Sequence, residues 1–383
     1  MKKICIVITT RGNYAKMKSV IREIQKTDGL ELQLILGGSV ILEKYGRIMD
    51  SLEEKIPVDR IIHFVVEGET PVTMAKSAGL AVSEFSTAFE SLKPDVVVVI
   101  ADRFECLSIA MAASYMNLPV AHVEGGEVSG SIDESIRHAI TKLAHLHFPA
   151  TQEAAERIIR MGEDPGSVFA VGGTSLDVFA ELDLMNLDPV RARQTTSGVG
   201  LPIELSPGKY LVIIQHPVTT EYADNLTHIN ETIDAIDTLR MPTVWIWPNM
   251  DAGSDGISKG LRLFREHRQP EYAHFFKSLP IELFAPLLQN AACIVGNSSS
   301  GIREAAFLGT PTVNIGTRQA GRDRCPNVMD VGYDSAEIRQ AIERQIAVGR
   351  YPVDHRYGDG ASGKRMVDIL ANFSFRQQKK ITY

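Results

Sequence analysis

The stretch "DVVVVIA" (95–101) sets five β-branched residues in a row with no polar residue among them. A strand with one face in water alternates apolar and polar residues. One that is apolar on both faces suits a parallel strand covered by helices on each side. "KICIVITT" (3–10), "ELQLILGG" (31–38), "RIIHFVV" (60–66) and "PVAHVEG" (119–125) read the same way, with helical segments at 70–92 and 104–116 among them. This rhythm of strand, helix and strand predicts a doubly wound α/β sheet. After "VFAVGG" (168–173) the pattern loosens, and "TTSGVGLPIELSPGK" (195–209) reads as an irregular connection. Alternation resumes with "YLVIIQHP" (210–217), "PTVWIWPN" (242–249), "YAHFFKSL" (272–279), "CIVGN" (293–297), "PTVNIGT" (311–317) and "NVMDVGY" (327–333). Two Rossmann-like α/β units in succession make the cleft between them the expected place for a ligand.

The chain of 383 residues is long enough for two full cores. Its net charge of -7 argues against nucleic acid and anionic membranes as partners, so an anionic small substrate requires a local cluster of basic side chains. Cys5, Cys106, Cys293 and Cys325 are far apart and form no Cys-x-x-Cys pair. That spacing points to neither zinc nor a disulfide framework and suits a reducing cytoplasm. Thr9-Thr10-Arg11-Gly12 interrupts the first apolar run too early for a signal peptide. No run approaches the ~18 residues of a membrane span.

Polar residues gather where the strands should end, the edge at which open α/β sheets bind ligands. In "CIVGNSSSGIREAAFLGTP" (293–311) a strand runs through glycine and three serines into an expected helix, stopped at Gly309-Thr310-Pro311. Hydroxyls and a helix start together suit a phosphate, although serines there also serve as ordinary caps. Glu304 is either a first-turn dipole partner or a ligand for a ribose diol. Arg318, Arg322 and Arg324 follow the next strand, where guanidinium groups could neutralise a diphosphate or merely face solvent. In "ADRFE" (101–105), Asp102 and Glu105 have the spacing of a capping box, so Asp102 admits both a structural and a chemical reading, while Arg103 suits an anionic partner.

"HVEGGEVSGSIDESIRH" (122–138) crowds four carboxylates behind an apolar strand. Ser131 and Glu134 form another capping pair, opening a helix to about His145. Ile132, Ile136, Ile140 and Leu143 take one face of it, and Glu134, His138, Thr141 and His145 an opposite face expected to be solvated. Glu124 ends the strand before two glycines that let the backbone turn tightly and a ligand come close. With Asp102 and Asp133 nearby it is the leading acid–base candidate. His216, at the end of "YLVIIQH", is either a core histidine or a phosphate or proton-transfer group.

The strings "HVEGGEVSGSIDESIRHAITKLAHLH", "QHPVTTE", "PNMDAGSD" and "GNSSSGIREAAFLGTPTVNIGTRQ" resemble the hydrolysing UDP-N-acetylglucosamine 2-epimerases of sialic acid biosynthesis, a likeness running to about residue 370. The resemblance implies a glycosyltransferase-B-like fold with the active site in the interdomain cleft. Residues 1–174 would form the first domain and 175–359 the nucleotide-binding second, with a helix in about 360–383 packing back on the first. It implies the products N-acetylmannosamine and UDP, no cofactor, no metal, and a homodimer or homotetramer. Carried over, Asp102, Glu124 and Asp133 fall on the family's catalytic carboxylates and His216 on its cleft histidine. Arg11, Arg103, Asn249, Phe284, Ser298, Ser299, Glu304 and Arg318 fall on its nucleotide contacts. Asn13 stands where many relatives carry an acidic residue. Related enzymes of legionaminic acid pathways, acting on UDP- or GDP-linked 2,4-diacetamido-trideoxyglucose, share these motifs. A non-hydrolysing epimerase, a glycosyltransferase and a nucleotide-sugar sensor are the remaining alternatives.

Overall fold

The computed structural model describes residues 1–43, 56–68, 70–129, 132–248, 253–376 and 378–382. Strands β1 (Lys2–Ile8), β2 (Leu30–Gly37), β3 (Arg60–Ile62), β4 (Val96–Ile100), β5 (Val120–Val123) and β6 (Leu146–Phe148) form one sheet in the order β3-β2-β1-β4-β5-β6. Strands β7 (Leu211–Ile214), β8 (Thr243–Ile246), β9 (Ala273–Phe276), β10 (Cys293–Gly296), β11 (Thr312–Ile315) and β12 (Val328–Val331) form a second in the order β12-β11-β10-β7-β8-β9. Every pairing between these strands is parallel. The expected doubly wound α/β class with two Rossmann-like sheets is what the chain adopts.

The chain divides into two compact units, one of Met1–Glu127, Ile132–Ala180 and Arg356–Tyr383, the other of Val128–Ser131 and Glu181–His355. In the first unit the period-two geometry of β4 sends its valines to two cores. Val96, Val98 and Ile100 join Ile4, Ile6 and Ile8 against Met17, Val20, Ile21 and Ile24 of helix Arg11–Lys26. Val97 and Val99 join Cys5 and Val7 against Phe85, Phe89 and Ile109 of helices Pro71–Leu92 and Phe104–Tyr115. Each fully buried aliphatic side chain contributes about 1.5–3 kcal/mol, so a charge placed at Val98 would break the unit.

Helix Ser362–Asn372 belongs to this first unit, burying Met366, Val367 and Leu370 in the first of these cores. Both ends are pinned. The Asp177 carboxylate accepts from the N–H groups of Ser362 (2.8 Å) and Gly363 (2.6 Å). The Lys2 ammonium donates to the carbonyls of Leu370 (2.7 Å) and Phe373 (2.8 Å). These charges sit at the ends that the helix dipole favours. In the second unit Trp245 packs between Phe264 and Phe275, with Ile229, Ile233 and Ile338 closing the core.

Two strands depart from the expected pattern. The run "RIIHFVV" pairs only over Arg60–Ile62, and the three-residue β6 gives too short an apolar signal to be read beforehand. Among the described residues no helix is long and apolar enough to cross a membrane.

Candidate active site

In each sheet the strand order reverses beside the first strand, between β1 and β4 and between β7 and β10. Loops leaving neighbouring strands there diverge to opposite faces and open a crevice at the carboxyl ends. The candidate residues stand at these ends, by sequence position: Arg11 after β1, Asp102 and Arg103 after β4, Glu124 after β5, His216 after β7, Ser298 and Ser299 after β10, and Arg318 after β11.

In the first unit two successive strand ends are strained. Ala101 (φ 66°) and Glu124 (φ 62°) occupy the left-handed region that non-glycine residues avoid at a cost of about 1–2 kcal/mol. The sheet holds both there: Ala101 N–H donates to Val123 O (3.0 Å) and Glu124 N–H to Phe148 O (2.9 Å). Strain maintained at adjacent strand ends is a mark of a working site. The Glu124 carboxylate is buried, and its Oε2 accepts from the Lys16 ammonium at 2.6 Å. Lys16 lies on helix Arg11–Lys26, whose start is capped by the Thr10 hydroxyl accepting from Asn13 N–H (3.0 Å). Asn13 is buried and donates from Nδ2 to Thr9 Oγ1 (3.2 Å), a neutral structural bond in place of a charge.

Asp102 does not cap the helix that follows. That helix begins at Phe104 with Arg103 as its cap and no side-chain cap bond. The Asp102 carboxylate instead pairs with the guanidinium of Arg137, which also donates to Glu127 O (2.7 Å). Glu105, the supposed capping partner, is buried and binds Arg103 Nε at 2.9 Å. Burial works against the Arg137 charge, but Asp102, Glu127 and Asp133 more than offset it and push its pKa above the ordinary arginine value. Arg137 thus holds Asp102 directly, while the half-buried Asp133, one turn earlier on the same helix, acts on it only through its opposite charge.

The helix carrying Asp133 runs from Ile132 to Leu143; Ser131, its expected cap, lies outside the described residues. Its polar face is not uniformly solvated. Arg137 and Thr141 are buried, the Thr141 hydroxyl lying 3.4 Å from His122 Nδ1. His122 donates from Nε2 to Ala101 O (3.0 Å). Burial, reinforced by His147 and Arg137 against the Ala101 bond and Asp102, pushes His122 down to about 3, so it is a neutral spacer under the strand end. Gly125 and Gly126 admit protein: a Cβ would meet His122 Nδ1 at 2.8 Å and Ala154 O at 2.2 Å respectively.

In the second unit Asn297, fully buried, organises the strand ends. Its Oδ1 accepts from His216 N–H (2.7 Å) and its Nδ2 donates to His216 O (2.8 Å). Its own carbonyl accepts from Arg318 Nη1 (3.2 Å) and Gln319 Nε2 (2.9 Å). One asparagine thus ties the loops after β7, β10 and β11. Glu221 ties the first and third again, accepting from the Thr317 hydroxyl and from Tyr333 OH (2.9 Å).

The helix expected directly after the serines is not there. Ser299–Gly301 form one 3₁₀ turn, with Ser298 Oγ accepting from Ser300 N–H (3.3 Å), and the α-helix is the five-residue Glu304–Leu308. So short a helix adds little dipole, which leaves hydroxyl and N–H donors for an anion. Glu304 is buried in its first turn. Phe284 is half-buried on helix Ile281–Gln289. Arg324 is ion-paired with Asp330 at 3.0 Å, a structural role. Asn249 lies outside the described residues. Lys16, Arg137 and Asn297 are the residues that sequence reasoning passed over; the four-residue step from Asp133 to Arg137 was the one available signal.

A sequence profile described as UDP-N-acetylglucosamine 2-epimerase matches residues 22–371. A UDP-N-acetylglucosamine 2-epimerase of Neisseria meningitidis is 31% identical over 97% of this chain and 96% of its own length. A GDP/UDP-N,N'-diacetylbacillosamine 2-epimerase (hydrolyzing) of Campylobacter jejuni is 32% identical over 90% of this chain and 87% of its own. A UDP-N,N'-diacetylbacillosamine 2-epimerase (hydrolyzing) of Legionella pneumophila is 31% identical over 99% and 98%. Among solved structures, the UDP-GlcNAc 2-epimerase of Methanocaldococcus jannaschii in complex with UDP-GlcNAc and UDP superposes with a TM-score of 0.78 at 21% identity, covering 96% of this chain and 99% of that one. Fold, length and sequence agree, and the chain belongs to the UDP-N-acetylglucosamine 2-epimerase family.

Proposed function

We propose that this protein is a hydrolysing UDP-N-acetylglucosamine 2-epimerase that releases N-acetylmannosamine and UDP. The observation that carries the reading is the set of carboxylates in the first unit, Glu124 held by Lys16 and Asp102 held by Arg137 at strand ends, with Asp133 on the helix that carries Arg137. Binding an anion gains nothing from such groups; moving protons requires them.

In the reaction we envisage, one carboxylate takes the proton from C2 of the sugar while the C1–O bond to UDP breaks, leaving a 2-acetamidoglucal. Water then adds its hydroxyl to C1, and a proton returns to C2 from the opposite face, inverting that centre. Two faces need at least two acid–base groups, each supplying on the order of 10²–10⁴-fold. Departure of UDP is helped by groups of the second unit that stabilise diphosphate charge, Ser298, Ser299, His216 and Arg318; Arg11 and Arg103 are assigned to the nucleotide on resemblance alone. Glu304 and Phe284 are assigned to the nucleoside, and Asn249 to the nucleotide on resemblance alone.

The Campylobacter and Legionella relatives support a second reading, the same chemistry on a nucleotide-linked 2,4-diacetamido-trideoxyhexose. One experiment addresses both. A panel of UDP- and GDP-linked sugars is incubated in D2O and followed by NMR. Free 2-epimeric sugar carrying deuterium at C2, with nucleotide released, is the expected result, and the best substrate names the sugar. Epimerised sugar still attached to the nucleotide, or protium retained at C2, overturns the hydrolysing scheme.

A further inference from the structure

Beyond the strand ends, the first unit contains a second buried charge cluster. Glu163 is buried and receives two cations, Lys142 at 2.6 Å and Lys379 at 2.5 Å, with the buried His147 ring, whose pKa burial lowers, at 3.3 Å. Lys379 comes from the segment after helix Ser362–Asn372, more than two hundred residues away in sequence. The same ammonium donates to Thr141 O and Lys142 O, both at 2.9 Å. Those are last-turn carbonyls of helix Ile132–Leu143, the end at which a helix favours a cation. Thr382 N–H adds a bond to Gly162 O at 3.0 Å.

The clamped helix is the one carrying Asp133 and Arg137. From the clamp, hydrogen bonds lead back to the reacting edge: the Thr141 hydroxyl donates to Arg137 O (3.1 Å) and lies 3.4 Å from His122 Nδ1, and His122 Nε2 donates to Ala101 O (3.0 Å). Ala101 is the strained residue immediately before Asp102. We propose that Lys379 is a positioning residue, which clamps the end of helix Ile132–Leu143 on Glu163 and so fixes Arg137 and Asp102 for proton transfer. The proposal rests on the epimerase reading for its catalytic consequence but not for the clamp itself.

Small displacements of a catalytic group cost rate far more than affinity, on the order of 10²-fold per ångström. The test compares the full-length wild type with Lys379→Met, Lys379→Gln and Lys379→Arg, by steady-state kinetics, UDP calorimetry and hydrogen exchange. For Lys379→Met we expect kcat to fall on the order of 10-fold, with KM and UDP affinity within about twofold. Amides of the last turn of helix Ile132–Leu143 should exchange faster while those of β7 do not, and Lys379→Arg should restore both readouts. Should Lys379→Met fail to fold, Lys379→Gln, which keeps the two N–H donors of its amide but no charge, carries the same comparison at smaller amplitude. Unchanged kcat, unchanged exchange in the helix, or a change confined to KM overturns the proposal. If the wild type turns over no nucleotide sugar, the epimerase reading fails instead, and the exchange data alone decide the clamp.

Discussion

Lys16 and Glu124 meet at 2.6 Å across the ends of β1 and β5, the glutamate buried and in a left-handed backbone conformation. A charge-assisted bond to a side chain already fixed at its backbone leaves the carboxylate a single orientation. Lys16 thus bears on Glu124 as the sheet bears on its main chain.

Removing that bond should slow turnover while sparing the nucleotide. Lys16→Met is expected to lower kcat on the order of 10²-fold, the scale on which misplaced acid–base groups act. UDP affinity, measured by calorimetry, should stay within about threefold, because the substitution leaves Arg11 at the start of the same helix and Ser298, Ser299, His216 and Arg318 of the second unit in place. Equal loss of UDP affinity and kcat would count against the pairing.

Asn297 should matter to both stability and UDP binding. Asn297→Ala removes from a fully buried position the side chain that bonds the N–H and C=O of the half-buried His216, a loss of about 1–3 kcal/mol. A urea titration measures the first effect and UDP calorimetry the second. Wild-type UDP affinity in the variant would detach Arg318 and His216 from nucleotide binding.

Gly296 has φ 125°, and a Cβ there would lie 2.1 Å from Ile214 O. Gly296→Ala should cost at least about 1–3 kcal/mol of backbone strain and in addition push β10 from β7. Gly208, also at positive φ but with nothing within 4 Å of its Cβ, is the control; Gly208→Ala should cost about 1 kcal/mol. Similar urea midpoints for the two variants would refute the packing argument.

Acid should weaken the first unit through Glu163. Burial raises this carboxyl, but His147, Lys142 and Lys379 together hold it down to about 2, against an ordinary value of 4.5. A carboxylate whose folded value is depressed contributes stability present above the unfolded value and lost as the pH falls through the folded one. Tm of the wild type should therefore drop between about pH 4.5 and 2, and Glu163→Gln should be less stable at pH 7 yet flatter across that window. Parallel Tm profiles would show that the cluster is not linked to folding.

Much of this was legible in the residues. The run Val96–Ile100 reads as a strand covered on both faces, and each of the other strands expected in the first half of the chain overlaps its predicted run, β1 and β2 beginning one residue before theirs. The carboxylates and serines could be named because strand ends bind ligands in such sheets. Their partners could not. Lys16 reads as one more helix lysine, Thr141 as part of a wet face, and Asp102 as a helix cap, because pattern rules weigh only neighbours within a few residues.

Which runs become buried parallel strands is a local and periodic property, dictated by which side chains avoid water, and the sequence alone determined it. The pairing of Lys16 with Glu124, that of Arg137 with Asp102, and the clamp of Lys379 on Glu163 join positions up to 216 residues apart. Only the folded chain decides those, since a buried charge must find an opposite one, and which one is within reach depends on where the sheets bring the backbone.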